Sequence, residues 1–240
     1  MTTVMLDKGL PPVVLRDLLE SAGKHITHAK IGWGIAEVDA LLESRLWLYR
    51  FHGIPTFCGG TLFEWHWMRN QYVAYLNWLR RLRVPALEIS DGVIHLSLQA
   101  KRDAIGAAKS RGLYVFAEVG KKDPTRRYTP DEWAQRVEYD LASGADLVVC
   151  EGREAGNVGL YEQTGTLRDD VLDALASFGG RVVFEAPHKA QQVALMRRFG
   201  RDVGLGNIAP DDVLPLATLR LGLRAETLER ELDGAHDARL

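Results

Sequence analysis

Asp7, Lys30, Glu88, Glu118, Glu151, Glu185 and Asn207 each stand at the end of a short run of apolar residues. The run DLVVCEGREAG (residues 146–156) shows the pattern: an apolar half that reads as a buried strand meets Glu, Gly, Arg and Glu. A charge on a core strand is expensive unless it is paired or bound to a metal. One such strand end reads equally well as the start of a solvated loop, but a recurring set does not. Carboxylates gathered from neighbouring strands repel one another unless a cation or lysines sit among them. A divalent metal with oxygen ligands, Mg²⁺ first, resolves that repulsion. Glu118, Glu151 and Glu185 are the expected ligand set. Basic partners follow closely: Lys8 beside Asp7, Lys121 and Lys122 in EVGKKD, Arg153 in EGRE, and Lys189 in APHK. A period of two from Glu118 turns Lys122, rather than Lys121, to the same face. A hard cation among lysines and arginines suits a multiply anionic substrate such as a phosphorylated carboxylate.

Such groups must be delivered by a repeating scaffold. Apolar, β-branched runs are expected as strands at residues 2–6, 25–31, 54–58, 86–90, 113–119, 146–151, 181–186 and 203–208. Helical patterns begin near Pro11, Ala36, Leu62, Ser97, Pro130, Arg168, Lys189 and Pro210. TPDE (residues 129–132) combines an N-cap, a proline at the first position and acids in the first turn. Gly23, Gly53, Gly112, Gly144 and Gly200 stand where helices should stop. This rhythm in a chain of 240 residues predicts a single-domain α/β fold, the (β/α)₈ TIM barrel, over residues 1–230, with a frayed tail at 231–240. A doubly wound sheet is the alternative, but no GxGxxG follows a strand. In a barrel the last inward residue of each strand reaches one catalytic mouth, where strands four to seven would bring their carboxylates together. The aromatic-rich segment 62–79 is expected as a helix packed on the barrel or on another subunit of a homo-oligomer.

The formal net charge of −2 gives no basic face for nucleic acid or a membrane surface. Two cysteines, Cys58 and Cys150, are too few for a disulfide framework and read as buried thiols of a reducing compartment. With no signal peptide and no apolar span, a cytoplasmic protein is expected. No nucleophile–His–acid motif, P-loop or histidine metal spacing stands out.

The chain resembles the phosphosulfolactate synthase family. The resemblance runs through VMLDKGLPP (4–12), KIGWG (30–34), GGTLFE (59–64), LEISDG (87–92), EVGKK (118–122), EGREAG (151–156), FEAPHKAQQ (184–192), GNI (206–208) and LRLGLR (219–224). It implies a (β/α)₈ barrel, Mg²⁺ dependence and a lyase that adds sulfite to phosphoenolpyruvate in coenzyme M biosynthesis, keeping the phosphate. On that chemistry Lys122 is the expected proton donor, with Lys121 second and Glu151 also catalytic. Asp7, Lys8, Lys30, Asp91, Arg153, Lys189 and Asn207 are the expected substrate-binding residues. The chain departs from the family pattern at Ile35, Ala36 and Ala155, where hydroxyl residues are usual, and GLRAET (222–227) replaces GLRGDT. Another nucleophile on phosphoenolpyruvate is therefore a second reading. A catalytically silent binding barrel is a third, opposed by the retained lysines and glutamates.

Overall fold

The computed structural model describes residues 1–123 and 125–228, so the tail expected at 231–240 lies outside the described residues. Eight parallel strands close into a barrel in sequence order, each pairing with its neighbours and the eighth with the first. They are β1 (Thr3–Asp7), β2 (His28–Ile31), β3 (Thr56–Cys58), β4 (Ala86–Ile89), β5 (Tyr114–Val119), β6 (Leu147–Cys150), β7 (Val182–Glu185) and β8 (Gly204–Ile208). Seven fall inside an expected run, and β1 runs one residue past its expected end at Leu6 to include Asp7.

The outer layer comprises α1 (Pro12–Ala22), α2 (Ile35–Val38), α3 (Leu42–Phe51), α4 (Gly60–Met68), α5 (Tyr72–Arg81), α6 (Leu98–Lys109), α7 (Pro130–Ala142), α8 (Asp169–Leu175), α9 (Lys189–Phe199) and α10 (Val213–Arg220). At α7 the Thr129 hydroxyl accepts from Glu132 N–H and the Glu132 carboxylate accepts from Thr129 N–H, the expected capping box. Gly53, Gly112, Gly144 and Gly200 take the left-handed backbone expected of helix stops; Gly23, with φ of −55°, does not. The aromatic segment is two helices, not one. Asn70, at φ of 55°, breaks it between α4 and α5, a conformation asparagine tolerates better than most residues.

Two apolar layers follow from the strand period of two. Outward residues such as Met5, Ile31, Leu87, Val115, Val148 and Phe184 pack under the helices in one large core. Inward residues Val4, Phe57, Ala86, Phe116, Leu147, Val149 and Val183 fill the barrel, with Phe57 and Phe116 stacked at 4.2 Å between ring centroids. This second layer is an apolar floor. Whatever stands on the next inward position of each strand is held directly above it. Cys58 and Cys150 are buried free thiols, as expected. No helix among the described residues is long and apolar enough to cross a membrane.

Candidate active site

One step above the floor, the inward positions of β2, β4, β5, the β6 end and β7 are Lys30, Glu88, Glu118, Glu151 and Glu185. All five are buried, and with Lys122, Arg153 and Asn207 they line a cavity of about 190 Å³ at the C-terminal mouth. That volume is below the roughly 300–1,000 Å³ of drug-sized pockets and suits a small metabolite. A larger groove of about 820 Å³ lies on the outer wall between α1, α3 and α5, and no acid–lysine cluster lines it.

Two lysines are interleaved with the four carboxylates. Lys30 Nζ lies 3.0 Å from Glu88 Oε1, 3.2 Å from Glu185 Oε1 and 3.9 Å from Glu118 Oε2. Lys122 Nζ lies 3.1 Å from Glu118 Oε1 and 3.3 Å from Glu151 Oε2. Backbone N–H groups take further lone pairs: Gly60 donates to Glu88 at 2.6 Å, Gly152 to Glu185 at 3.0 Å and Arg153 to Glu151 at 2.6 Å. Gly60 is the first residue of α4, so a helix N-terminus faces Glu88.

The electrostatics separate these acids. Burial drives Glu118 up, but Lys122 and Lys30 outweigh it and hold the carboxyl at about 2. Burial pushes Glu88 up to about 7 against the pull of Lys30. Burial, then Glu118 and Glu185, push Glu151 well above the carboxylate range. Burial works to lower Lys30 and Lys122, but the surrounding carboxylates prevail and both stay firmly charged.

A pH dependence follows from Glu88. Its proton is held in the folded state up to about pH 7, whereas the unfolded chain releases it near 4.5. Between these values the folded state binds the extra proton, so stability is greatest below the window and falls as pH rises through it, by up to about 3 kcal/mol. Melting temperatures measured without divalent metal from pH 5 to 8 should decline, and the decline should shrink in Glu88→Gln. A flat wild-type profile would contradict the buried, proton-holding carboxyl.

Were all four carboxylates ionised, two ammonium groups would not balance them. Burial, and then this imbalance, drive Glu88 and Glu151 towards their protonated forms; Glu151 Oε2 is also buried with no hydrogen-bond partner. That combination fits a hard cation. Among the described residues, no group of three or more His, Cys, Asp or Glu is spaced as a ready ligand shell. The expected set of Glu118, Glu151 and Glu185 shares one rim without forming such a shell. A cation held here would have to keep several waters and take only one or two carboxylates plus substrate oxygens, a pattern that Mg²⁺ accepts.

The other expected residues divide. Lys30, Lys122, Arg153 and Asn207 line the mouth. Asn207 arrives there through a bulge: β1 pairs Thr3 with Leu205 but Met5 with Ile208, and the extra residue puts Asn207 at φ of 54°. Lys8 bridges to Glu154 at 3.4 Å across the β1 and β6 loops and lies over Trp33, so it sits at the outer rim. Asp7 does not reach the mouth. It points outward between Arg45 Nη1 and Tyr49 OH, both at 2.8 Å, and caps Gly9 and Leu10 N–H. Its acceptor sites are filled, which makes it a structural anchor. Asp91 and Lys121 pair with each other at 2.6 Å, and Lys121 also donates to the carbonyl of Ile94. Lys121 lies one position out of phase with Lys122, and its ammonium is held at the β4 turn, outside the cavity lining. Lys189 is exposed, paired with Glu226, and outside the cavity lining. Glu88, Gly60, Thr61 and Trp33 join the site without having been chosen as site residues; for Glu88 the same period of two that selects Glu118 would have sufficed.

The architecture resembles that of several solved structures. A 3-hexulose-6-phosphate synthase superposes with a TM-score of 0.60 at 14% identity, over 92% of this chain and 99% of the other. A 3-keto-L-gulonate-6-phosphate decarboxylase from Vibrio cholerae gives 0.59 at 10% identity, over 92% and 95%. At such identities the likeness speaks for the barrel alone. The sequence says more. It is 42% identical to phosphosulfolactate synthase of Methanocaldococcus jannaschii over 232 residues, covering 94% of this chain and 92% of that protein. It is 32% identical to phosphosulfolactate synthase of Bacillus subtilis over 230 residues, covering 94% and 91%. Residues 1–226 match the family described as (2R)-phospho-3-sulfolactate synthase (ComA). An acid–lysine site at the mouth of this barrel and a family match along almost its whole length lead to one conclusion: the chain is an enzyme that belongs to the phosphosulfolactate synthase family.

Proposed function

We propose that this enzyme adds sulfite to C3 of phosphoenolpyruvate, keeps the phosphate, and yields 2-phospho-3-sulfolactate. The observation that carries the reading is the pair of ammonium groups, Lys30 and Lys122, set among four carboxylates above an apolar floor, with Arg153 at the rim. Two anions must meet here, and the cations at the mouth reduce their repulsion. Arg153, with its planar fork, suits a phosphate or sulfonate, and Lys8 stands at the outer rim, paired with Glu154.

The sulfite sulfur donates its lone pair to the CH₂ carbon, and the double-bond electrons move to C2 and into the carboxylate. Lys122 Nζ then gives a proton to C2, and the resulting amine recovers one from solvent. Lys30 holds Glu88 and Glu185 in place and adds positive charge near the substrate carboxylate. Glu151, alone or with Glu118 or Glu185, would hold Mg²⁺, which when bound supplies Lewis-acid stabilisation of the charge that develops on the carboxylate. The residues that replace family hydroxyls, Ile35, Ala36 and Ala155, are not among those lining the cavity, which favours sulfite over another nucleophile.

Phosphorus NMR of the protein with phosphoenolpyruvate, Mg²⁺ and sulfite tests the reading. A new phosphate-ester resonance that requires sulfite, without release of inorganic phosphate, is the expected result. An unchanged spectrum, with phosphoenolpyruvate still binding in a calorimetric titration, would overturn sulfite as the nucleophile.

A further inference from the structure

The turn after β4 is fixed from several sides. Glu64 of α4 is buried and reaches across to it: one carboxylate oxygen accepts from Gly92 N–H at 3.0 Å and from the Ser90 hydroxyl, the other from Val93 and Ile94 N–H at 3.0 and 2.8 Å. On the opposite side Lys121 binds the Asp91 carboxylate and the Ile94 carbonyl. The turn is therefore clamped between α4 and the β5 loop, and it has little freedom to retreat.

The face it turns to the mouth is Gly92. Its carbonyl accepts the N–H of Lys122 at 3.1 Å. A Cβ placed on Gly92 would lie 3.2 Å from both Cγ and Cδ of Lys122 and 3.2 Å from Glu118 Oε1. The bare Cα is thus the wall along which the lysine stem runs to its ammonium. Gly92 has no left-handed backbone, so alanine is conformationally permitted there, and the contact alone would change.

We propose that Gly92, held by the Glu64 clamp, is a positioning residue that aims the Lys122 ammonium between Glu118 and Glu151. The inference rests on Lys122 as the proton donor. A methyl group at position 92 forces the stem and the Glu118 oxygen to give by a few tenths of an ångström, and the displacement grows along the two bonds from Cδ to Nζ. Proton transfer demands placement within about 0.5 Å, and a displacement of that order costs about tenfold or more in rate.

The test compares Gly92→Ala with Val93→Ala, whose side chain is exposed on the same turn. Gly92→Ala should lower kcat about tenfold, leave KM for phosphoenolpyruvate within about twofold, and raise the solvent deuterium isotope effect on kcat, at an unchanged melting temperature. Val93→Ala should match wild type in all four. Wild-type kcat in Gly92→Ala, or an equal loss in both variants, would overturn the inference. Lys122→Arg separates the two readings: full activity there removes the proton-donor role itself, whereas an inactive Lys122→Arg beside a fully active Gly92→Ala removes the positioning role alone.

Discussion

Lys122→Arg should lower kcat by about 10²–10⁴-fold while phosphoenolpyruvate still binds. Arginine keeps the positive charge between Glu118 and Glu151, so the ion pairs that hold the fold together survive in kind. Its planar fork does not put an N–H where the ammonium stood, so the carbanion at C2 would find no acid in reach. Methionine is the harsher change: it removes acid and charge together and leaves Glu118 and Glu151 facing each other. A measured loss in Lys122→Met alone would therefore not separate catalysis from packing. The arginine variant does, because binding by calorimetry and turnover by steady-state kinetics should part company. Retention of kcat within about threefold in Lys122→Arg would place the proton donor elsewhere, with Glu151 as the next candidate, since its burial favours the protonated form.

The strand ends carried most of this site in the sequence because a barrel strand obeys a period of two. Counting from Ala86, Phe116, Val149 and Val183 on the floor leads to Glu88, Glu118, Glu151 and Glu185 above it. The same count from Val4 leads to Leu6 and leaves Asp7 on the outer face, where it meets Arg45 and Tyr49. Asp7 was expected in the site because it ends its strand, and position alone does not fix a side chain's face. Lys121 fails by the same single step, which the phase from Glu118 already indicated. Asn207 is the reverse case. Leu205 packs outward, so strict alternation would send Asn207 outward too, and the β8 bulge turns it into the mouth. Irregularities of that kind depend on pairing between chain ends and have no local signature. Glu64 was equally hidden, because its partners lie from Ser90 to Ile94, in another βα unit.

Two single substitutions in the mouth should move stability in opposite directions. Lys30 touches Glu88 and Glu185 closely and lies near Glu118, so Lys30→Met leaves three buried carboxylates without their common cation. Removing one partner of a buried ion pair costs about 3–5 kcal/mol, or roughly 10 °C of melting temperature in a chain of this size. Glu151→Gln does the reverse. It fixes the neutral form that burial, Glu118 and Glu185 already favour, keeps an oxygen to accept Arg153 N–H, and removes the cost of protonating a carboxylate on folding. Stability should rise by about 0.5–2 kcal/mol, the usual gain where a functional site holds strain, while turnover is lost. Added Mg²⁺ sharpens the contrast. It should stabilise wild type in proportion to binding and stabilise Glu151→Gln much less, because the proposed ligand is gone. Thermal melts of the three proteins, each with and without Mg²⁺, read all of these signs at once. If Glu151→Gln melted below wild type in the absence of metal, ionising Glu151 would carry no penalty in the mouth, and the physical reason for placing a cation there would fall with it.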